Sequence, residues 1–387
     1  MSKTAASSSP RPAWRRALRR LRFLLWRSLH REQGQASLVL EPYRGCGTPQ
    51  RVYLMGRVYR QALAGAAWNR GLARDLMDLL RLIFRWGVGG VAVEGRLGGS
   101  LATDTTDSDG YFRLEFAPEA MPPLEGGWED VPLVLREHPD RAVEAVGRVY
   151  LAPASTEYVV LSDIDDTVVY TGVAQRVRML WRLFMAPAES RVAFDGVAAL
   201  YKGLHAGRTG EAQNPMVYVS RGPWSTYPVI SEFFQRHEIP SGPVLFLREW
   251  GLTVQSPLPR RATEHKAELV ERMFTLYPDQ SFVLLGDSGQ HDAQLYADAV
   301  RRHPGRVLAV YIRKVAHAAS REKGIDALRE AAEAEGIGFV LADDSEAIAR
   351  HAVEAGLIEP AWINAVRGEK AAEGTPSKQG VEESSRS

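Results

Sequence analysis

From residue 158 onward, short apolar runs alternate with longer amphipathic stretches. The apolar runs fall at 158–162, 216–220, 244–247, 282–286, 307–312 and 337–341. Between and after them, residues 223–237, 264–277, 292–303, 325–335 and 345–354 show apolar positions at helical spacing. Strands that alternate with helices in this way predict an α/β fold built on a doubly wound parallel sheet. Functional residues of such sheets gather at the carboxyl ends of the strands.

The preceding region has another texture. Residues 51–58, 91–94, 111–116, 131–135 and 143–151 read as short strands separated by Gly, Pro and Asp. They predict a small, mainly β, sandwich-like domain over 36–156. A helical stretch at 71–86, with Leu72, Leu76, Leu79, Leu80 and Ile83 on one face, interrupts it. Asp107-Ser108-Asp109-Gly110 has a faint likeness to a calcium loop, but Thr105 and Phe116 stand where that loop needs its first ligand and its glutamate. A hairpin turn is the expectation there.

The first 35 residues form a separate arm. Trp14, Leu18, Leu21, Leu25 and Leu29 make one apolar stripe, and eight arginines crowd residues 11–31. A basic amphipathic helix is the prediction, either seated on an anionic membrane surface or packed on the body with solvated arginines. The remaining segments follow: a catalytic α/β domain over 157–366 and a disordered tail over 367–387, rich in Glu, Lys, Ser and Gly.

Composition narrows the class. The chain has 387 residues, 45% hydrophobic and 25% charged, with a net charge of +1, as expected of a globular protein with several domains. No apolar run approaches the ~20 residues that span a bilayer. Cys46 is the single cysteine, so no internal disulfide forms, and it reads as a small buried hydrophobe in a reducing compartment. The expected location is cytoplasmic, with a peripheral position at the inner membrane face if the arm binds lipid.

The chemistry concentrates at strand ends. The run Tyr158-Val159-Val160-Leu161-Ser162 stops abruptly at Asp163-Ile164-Asp165-Asp166-Thr167. Carboxylates this close at the end of a buried strand repel one another without a cation. Phosphoryl transfer through an aspartyl-phosphate needs this arrangement: one carboxylate to attack, one to move a proton, and a metal. Ser220 ends a second strand before Arg221-Gly222, Lys266 opens a helix, and Asp287 and Asp292 follow a third strand in Gly286-Asp287-Ser288-Gly289-Gln290-His291-Asp292. Helix capping and turn formation are the structural alternative for these carboxylates.

These stretches, in this order, resemble haloacid-dehalogenase-superfamily phosphatases: Asp-x-Asp-x-Thr, a strand ending in Ser, a Lys, then Gly-Asp-x(4)-Asp. The wording of Leu161–Thr167, Tyr218-Val219-Ser220-Arg221-Gly222-Pro223-Trp224, His265-Lys266 and Gly286–Asp292 is similar to the actin-patch-associated phosphatidate phosphatases and their bacterial relatives. The resemblance implies Asp163 as nucleophile and Asp165 as the acid and base. It implies Mg2+ held by Asp163, the Asp165 backbone carbonyl and Asp287, with Asp292 assisting the metal or orienting Lys266. Ser220 and Lys266 would hold the phosphoryl group, and Thr167, Arg221 and Gly222 would contact substrate. Arg221 has the alternative of a local ion pair. His265 and His291 either touch substrate or serve as structural hydrogen-bonding groups.

Residues 171–185 are apolar and basic, with no acidic residue. Beside such a site they suit an acyl-bearing, anionic substrate or pack as an amphipathic helix on the sheet. The expectation is a Mg2+-dependent phosphatase converting phosphatidate to diacylglycerol. A phosphomonoesterase for sugar phosphates, nucleotides or phosphoproteins is one alternative, and a non-catalytic lipid-binding module is another. Nucleic acid is the least favoured partner for the arginine arm.

Overall fold

The computed structural model describes residues 37–61, 86–119, 127–138, 141–164, 196–220, 227–246, 262–288, 291–314 and 322–373. The basic arm, the 71–85 stretch, the 171–185 segment and the tail beyond 373 lie outside the described residues.

Among the described residues, the regular elements of the first part are all strands. Strands β1 (Ser37–Pro42), β2 (Gly45–Thr48), β3 (Arg51–Gln61), β4 (Trp86–Gly87), β5 (Ala92–Leu97), β6 (Ser100–Thr105), β7 (Tyr111–Phe116), β8 (Trp128–His138) and β9 (Arg141–Leu151) join in one nine-stranded hydrogen-bonded network. Hydrogen bonds link these strands continuously. The cause is β3, whose eleven residues pair with β1, β2, β4 and β7. Alternating side chains of these strands, among them Leu54, Val58, Phe112, Leu114, Leu133 and Val149, enclose one apolar core. Asp107 lies in a turn between β6 and β7. Its carboxylate accepts the N–H groups of Asp109 at 2.9 Å and Tyr111 at 3.0 Å, closing the loop on itself. β7 pairs with β3 rather than β6, so the turn is not the hairpin expected.

The second part is a six-stranded parallel sheet of β10 (Val159–Asp163), β11 (Met216–Ser220), β12 (Val244–Phe246), β13 (Phe282–Asp287), β14 (Val307–Arg313) and β15 (Gly338–Ala342). Every residue of β10, β11 and β13 is buried, which explains their unbroken apolar runs. The helices among the described residues are α1 (Val197–Ala206), α2 (Tyr227–Arg236), α3 (Ala262–Leu276), α4 (Asp292–Arg302), α5 (Glu322–Glu335), α6 (Ser345–Glu354) and α7 (Ala361–Glu373). They contact in two groups: α3 and α5 on α4, and α6 and α7 on α1. Helix α7 continues past residue 367, where the sequence pattern starts the tail.

The strand order is β12-β11-β10-β13-β14-β15. The chain starts in the middle at β10, winds outward to β12, returns to the far side of β10 as β13, and winds out the other way. A crevice therefore opens at the carboxyl ends of β10 and β13, where neighbouring connections diverge.

The β network docks on the parallel sheet through a shared core. Tyr43, Cys46, Tyr53, Met55 and Ala152 belong to the same apolar cluster as β10 and β13. Arg272 of α3 donates to the Tyr53 hydroxyl at 2.8 Å and lies over its ring at 4.9 Å. Cys46 is fully buried, and burial pushes its thiol pKa up to about 12, so it remains an inert thiol.

Candidate active site

The crevice is lined by the residues that close the strands. Asp163 is the last residue of β10 and Asp287 the last of β13, the two strands flanking the reversal, and both are fully buried. Ser220 ends the neighbouring β11, one residue beyond Val219, the register partner of Asp163, and is also buried. The strands thus deliver polar groups to one edge because their apolar runs end there.

Two helices complete the cluster. Lys266 projects from the first turns of α3 and is 4% exposed. Its Nζ donates to Asp163 Oδ1 at 2.8 Å and to Asp292 Oδ1 at 2.5 Å. Burial alone would lower the lysine pKa, but the two carboxylates outweigh it and hold the ammonium above its ordinary value. Asp292 opens α4, and its Oδ2 accepts the backbone N–H of Asp287 at 3.3 Å. One side chain therefore links the lysine to the end of β13.

Gly286 makes that link possible. A Cβ there would lie 2.8 Å from both Cβ and Oδ2 of Asp292 and 2.9 Å from the Tyr296 ring. Only a residue without a side chain lets α4 approach β13 this closely.

Asp163, Asp287 and Asp292 each offer a ligand oxygen, and these atoms lie within 4.8 Å of one another. Three buried carboxylates share this cluster, and two of them, Asp163 and Asp292, pair with the Lys266 ammonium, so negative charge is concentrated where water is scarce. An all-oxygen, carboxylate-rich set of this size fits a hard divalent cation such as Mg2+.

Buried tyrosines support the two strand ends. Tyr201 of α1 lies 2.6 Å from Ser162 Oγ, and Ser162 Oγ donates to the Asp163 carbonyl at 3.0 Å. Tyr296 of α4 donates to the Leu285 carbonyl at 2.9 Å, two residues before Asp287. Burial is the main cause raising both phenol pKa values, which keeps both hydroxyls protonated.

Of the residues singled out from the sequence, the structure brings Asp163, Lys266, Asp287 and Asp292 together and sets Ser220 on the adjacent strand end. Asp165, Thr167, Arg221 and Gly222 lie outside the described residues, as does the side chain of His265. His291 is exposed and immediately precedes α4. Gly286, Tyr201, Ser162 and Tyr296 gain supporting roles that the motif reading did not give them. A signal existed for Tyr296, which stands four residues after Asp292 and so on the same helix face.

This geometry coincides with a recognisable segment. Residues 158–314 match the family model described as phosphatidate phosphatase APP1, catalytic domain. The phosphatidate phosphatase APP1 of Saccharomyces cerevisiae is 30% identical over 210 residues, which are 54% of this chain and 34% of the yeast protein. An uncharacterized protein of Schizosaccharomyces pombe is 28% identical over 156 residues, 40% of this chain and 25% of its own. The chain thus spans only about a third or less of the curated relatives it matches. Among solved structures, a carbohydrate acetylesterase from Xanthomonas citri covers 77% of this chain at 9% identity with a TM-score of 0.26, too low to bear on the fold.

Proposed function

We propose that this protein is a Mg2+-dependent phosphatase whose substrate is phosphatidate. The observation that carries the reading is the buried Asp163–Lys266–Asp292 bridge beside Asp287, sited where the strand order reverses. The match of residues 158–314 to a phosphatidate phosphatase catalytic domain supports it. The strand order and the two helix groups support a doubly wound, haloacid-dehalogenase-like sheet.

In this reading an Asp163 carboxylate oxygen attacks phosphorus, the bond to the leaving alkoxide breaks, and Asp165 gives the alkoxide a proton. Asp165 then takes a proton from water, which attacks the same phosphorus. The acyl-phosphate bond breaks, returning the Asp163 carboxylate and freeing inorganic phosphate. Lys266 orients Asp163 and offsets the charge that accumulates on the phosphoryl oxygens. Ser220 donates to one of those oxygens. Asp163, Asp287 and Asp292 would hold the Mg2+, whose chemistry is to neutralise phosphoryl and carboxylate charge.

No helix among the described residues is long and apolar enough to cross a membrane. Contact with a lipid substrate therefore falls, in our reading, to the basic arm over 11–31 at an anionic surface and to the apolar, basic segment 171–185.

The decisive measurement is phosphate release with Mg2+ across phosphatidate, lysophosphatidate, sugar phosphates and nucleotides. Phosphatidate is expected to be preferred, and Asp163→Asn to be inactive yet folded. Preference for a water-soluble ester would overturn the lipid assignment. Normal turnover by Asp163→Asn would overturn the mechanism.

A further inference from the structure

Asp163 is the last residue of its strand, so the peptide that follows it leaves the regular ladder. At such a point the polar groups of the chain need other partners or the chain drifts. Here both polar groups of the Asp163–Ile164 peptide are held. The Ile164 N–H donates to the Val219 carbonyl of β11 at 2.8 Å. The Asp163 carbonyl accepts from Ser162 Oγ at 3.0 Å.

The Ser162 hydroxyl has a single hydrogen, and the Asp163 carbonyl takes it. The contact of 2.6 Å between Ser162 and Tyr201 must then have the phenol as donor. A one-way chain results: Tyr201 O–H to Ser162 Oγ, Ser162 O–H to the Asp163 carbonyl. Tyr201, Ser162 and Asp163 are all fully buried, so no water competes for these bonds. The Tyr201 ring is fixed separately, stacked on Tyr218 of β11 at 6.1 Å. A serine beside the terminal aspartate of an otherwise apolar strand, and a phenol aimed at it from a helix, have no packing rationale of their own.

We infer that Tyr201 is a positioning residue that, through Ser162, fixes the peptide following Asp163 and so aims the Asp163 carboxylate. The inference rests on the phosphatase reading of Asp163 and deepens it. Tyr201 touches neither substrate nor the reacting atoms. It holds the nucleophile's main chain from the α1 side, while Lys266 holds its carboxylate from α3.

The test uses the full chain with Tyr201→Phe, Ser162→Ala and the double variant. Phenylalanine keeps the ring on Tyr218 and removes only the donor. The expected result is a fall in kcat of ~10- to 100-fold, the scale of a small nucleophile misplacement, with KM nearly unchanged. The double variant should be no worse than Ser162→Ala, because both act through one chain of bonds. Hydrogen exchange at the Ile164 amide should also accelerate in each variant, a readout independent of turnover. Unchanged kcat with only a lower melting temperature would make Tyr201 structural and overturn the inference. So would fully multiplicative effects in the double variant, or unaltered exchange at Ile164. A wild-type protein that releases no phosphate from any ester would refute the phosphatase reading instead, while the exchange measurement would still judge the hold of Tyr201 on the peptide.

Discussion

Lys266 and Asp163 form a buried ion pair at 2.8 Å, and the lysine side chain is 5% exposed while the aspartate side chain is fully enclosed. The pair is not isolated, since the same Nζ binds Asp292 at 2.5 Å. One ammonium therefore ties the end of β10 to the start of α4. A lysine buried this deeply keeps its proton because two carboxylates surround it.

Replacing Lys266 with Met should therefore destabilise the protein by about 3–5 kcal/mol, the cost of stranding buried charge. Phosphate release should disappear as well. Urea unfolding of wild type and variant gives the comparison. A loss below about 1 kcal/mol would mean that the carboxylates are compensated by other groups.

Much of the parallel sheet was legible because buried strands are continuous apolar runs. The run at 216–220 is reproduced as Met216–Ser220. Strands β10, β13, β14 and β15 each end one residue later than the apolar run, while β12 is described over Val244–Phe246. Strands β10 and β13 extend to Asp163 and Asp287, which a sequence pattern counts as turn residues. The ladder uses only backbone groups, so Asp163 pairs with Val219 and Asp287 with Arg313 whatever their side chains do.

Helices α1 and α7 were not legible, for one shared reason. Seven residues of α1 are buried, so it has no polar face to reveal a period. Its Gly203 reads as a breaker, yet a Cβ there would lie 2.9 Å from the Trp362 ring of α7. The glycine permits the helices to pack closely, and α7 forms on that contact. The N-terminus of α1 is likewise capped from outside, where Glu369 of α7 accepts the N–H groups of Ala198 at 3.3 Å and Ala199 at 2.6 Å. No local pattern records a cap that comes from 170 residues away.

Gly286→Ala tests the close approach of α4 to the sheet. The added methyl would displace Asp292, the residue that links Lys266 to the end of β13. A destabilisation of about 1–3 kcal/mol is expected from overpacking, with phosphate release falling far more than stability alone explains. Full activity in Gly286→Ala would show that Asp292 need not sit where it does.

Asp344 gives a pH-dependent prediction away from the site. It caps α6, accepting the Ala347 N–H at 2.9 Å, and pairs with Lys370 of α7 at 2.6 Å. Partial burial opposes its ionisation, but these bonds outweigh it and leave the pKa lowered. A lowered carboxylate pKa contributes stability above the unfolded value of about 3.9, and that contribution is lost as pH falls through the folded value. Asp344→Ala should cost about 1 kcal/mol at pH 7 from the lost cap. Asp344→Asn keeps the cap and should lose only a few tenths of a kcal/mol, about the worth of an exposed pair. Both differences should persist from pH 7 to pH 5 and shrink only below the unfolded pKa. If urea midpoints converge already between pH 7 and pH 5, another group is responsible.

The carboxylate cluster makes opposite predictions with and without metal. In metal-free protein Asp163, Asp287 and Asp292 crowd ligand oxygens within 4.8 Å, so neutralising one relieves repulsion. Asp287→Asn should then unfold at a higher temperature than wild type in the presence of chelator. Mg2+ reverses the order, because the wild type keeps a charged ligand that the variant lacks. At magnesium a hundredfold above its dissociation constant the wild type should gain about 2.7 kcal/mol, and Asp287→Asn should gain little. Thermal unfolding of both proteins, with chelator and across a Mg2+ titration, reads the crossing directly. Parallel curves that never cross would show that Asp287 does not hold the ion, and an identical wild-type midpoint in chelator and in Mg2+ would remove the metal from this site.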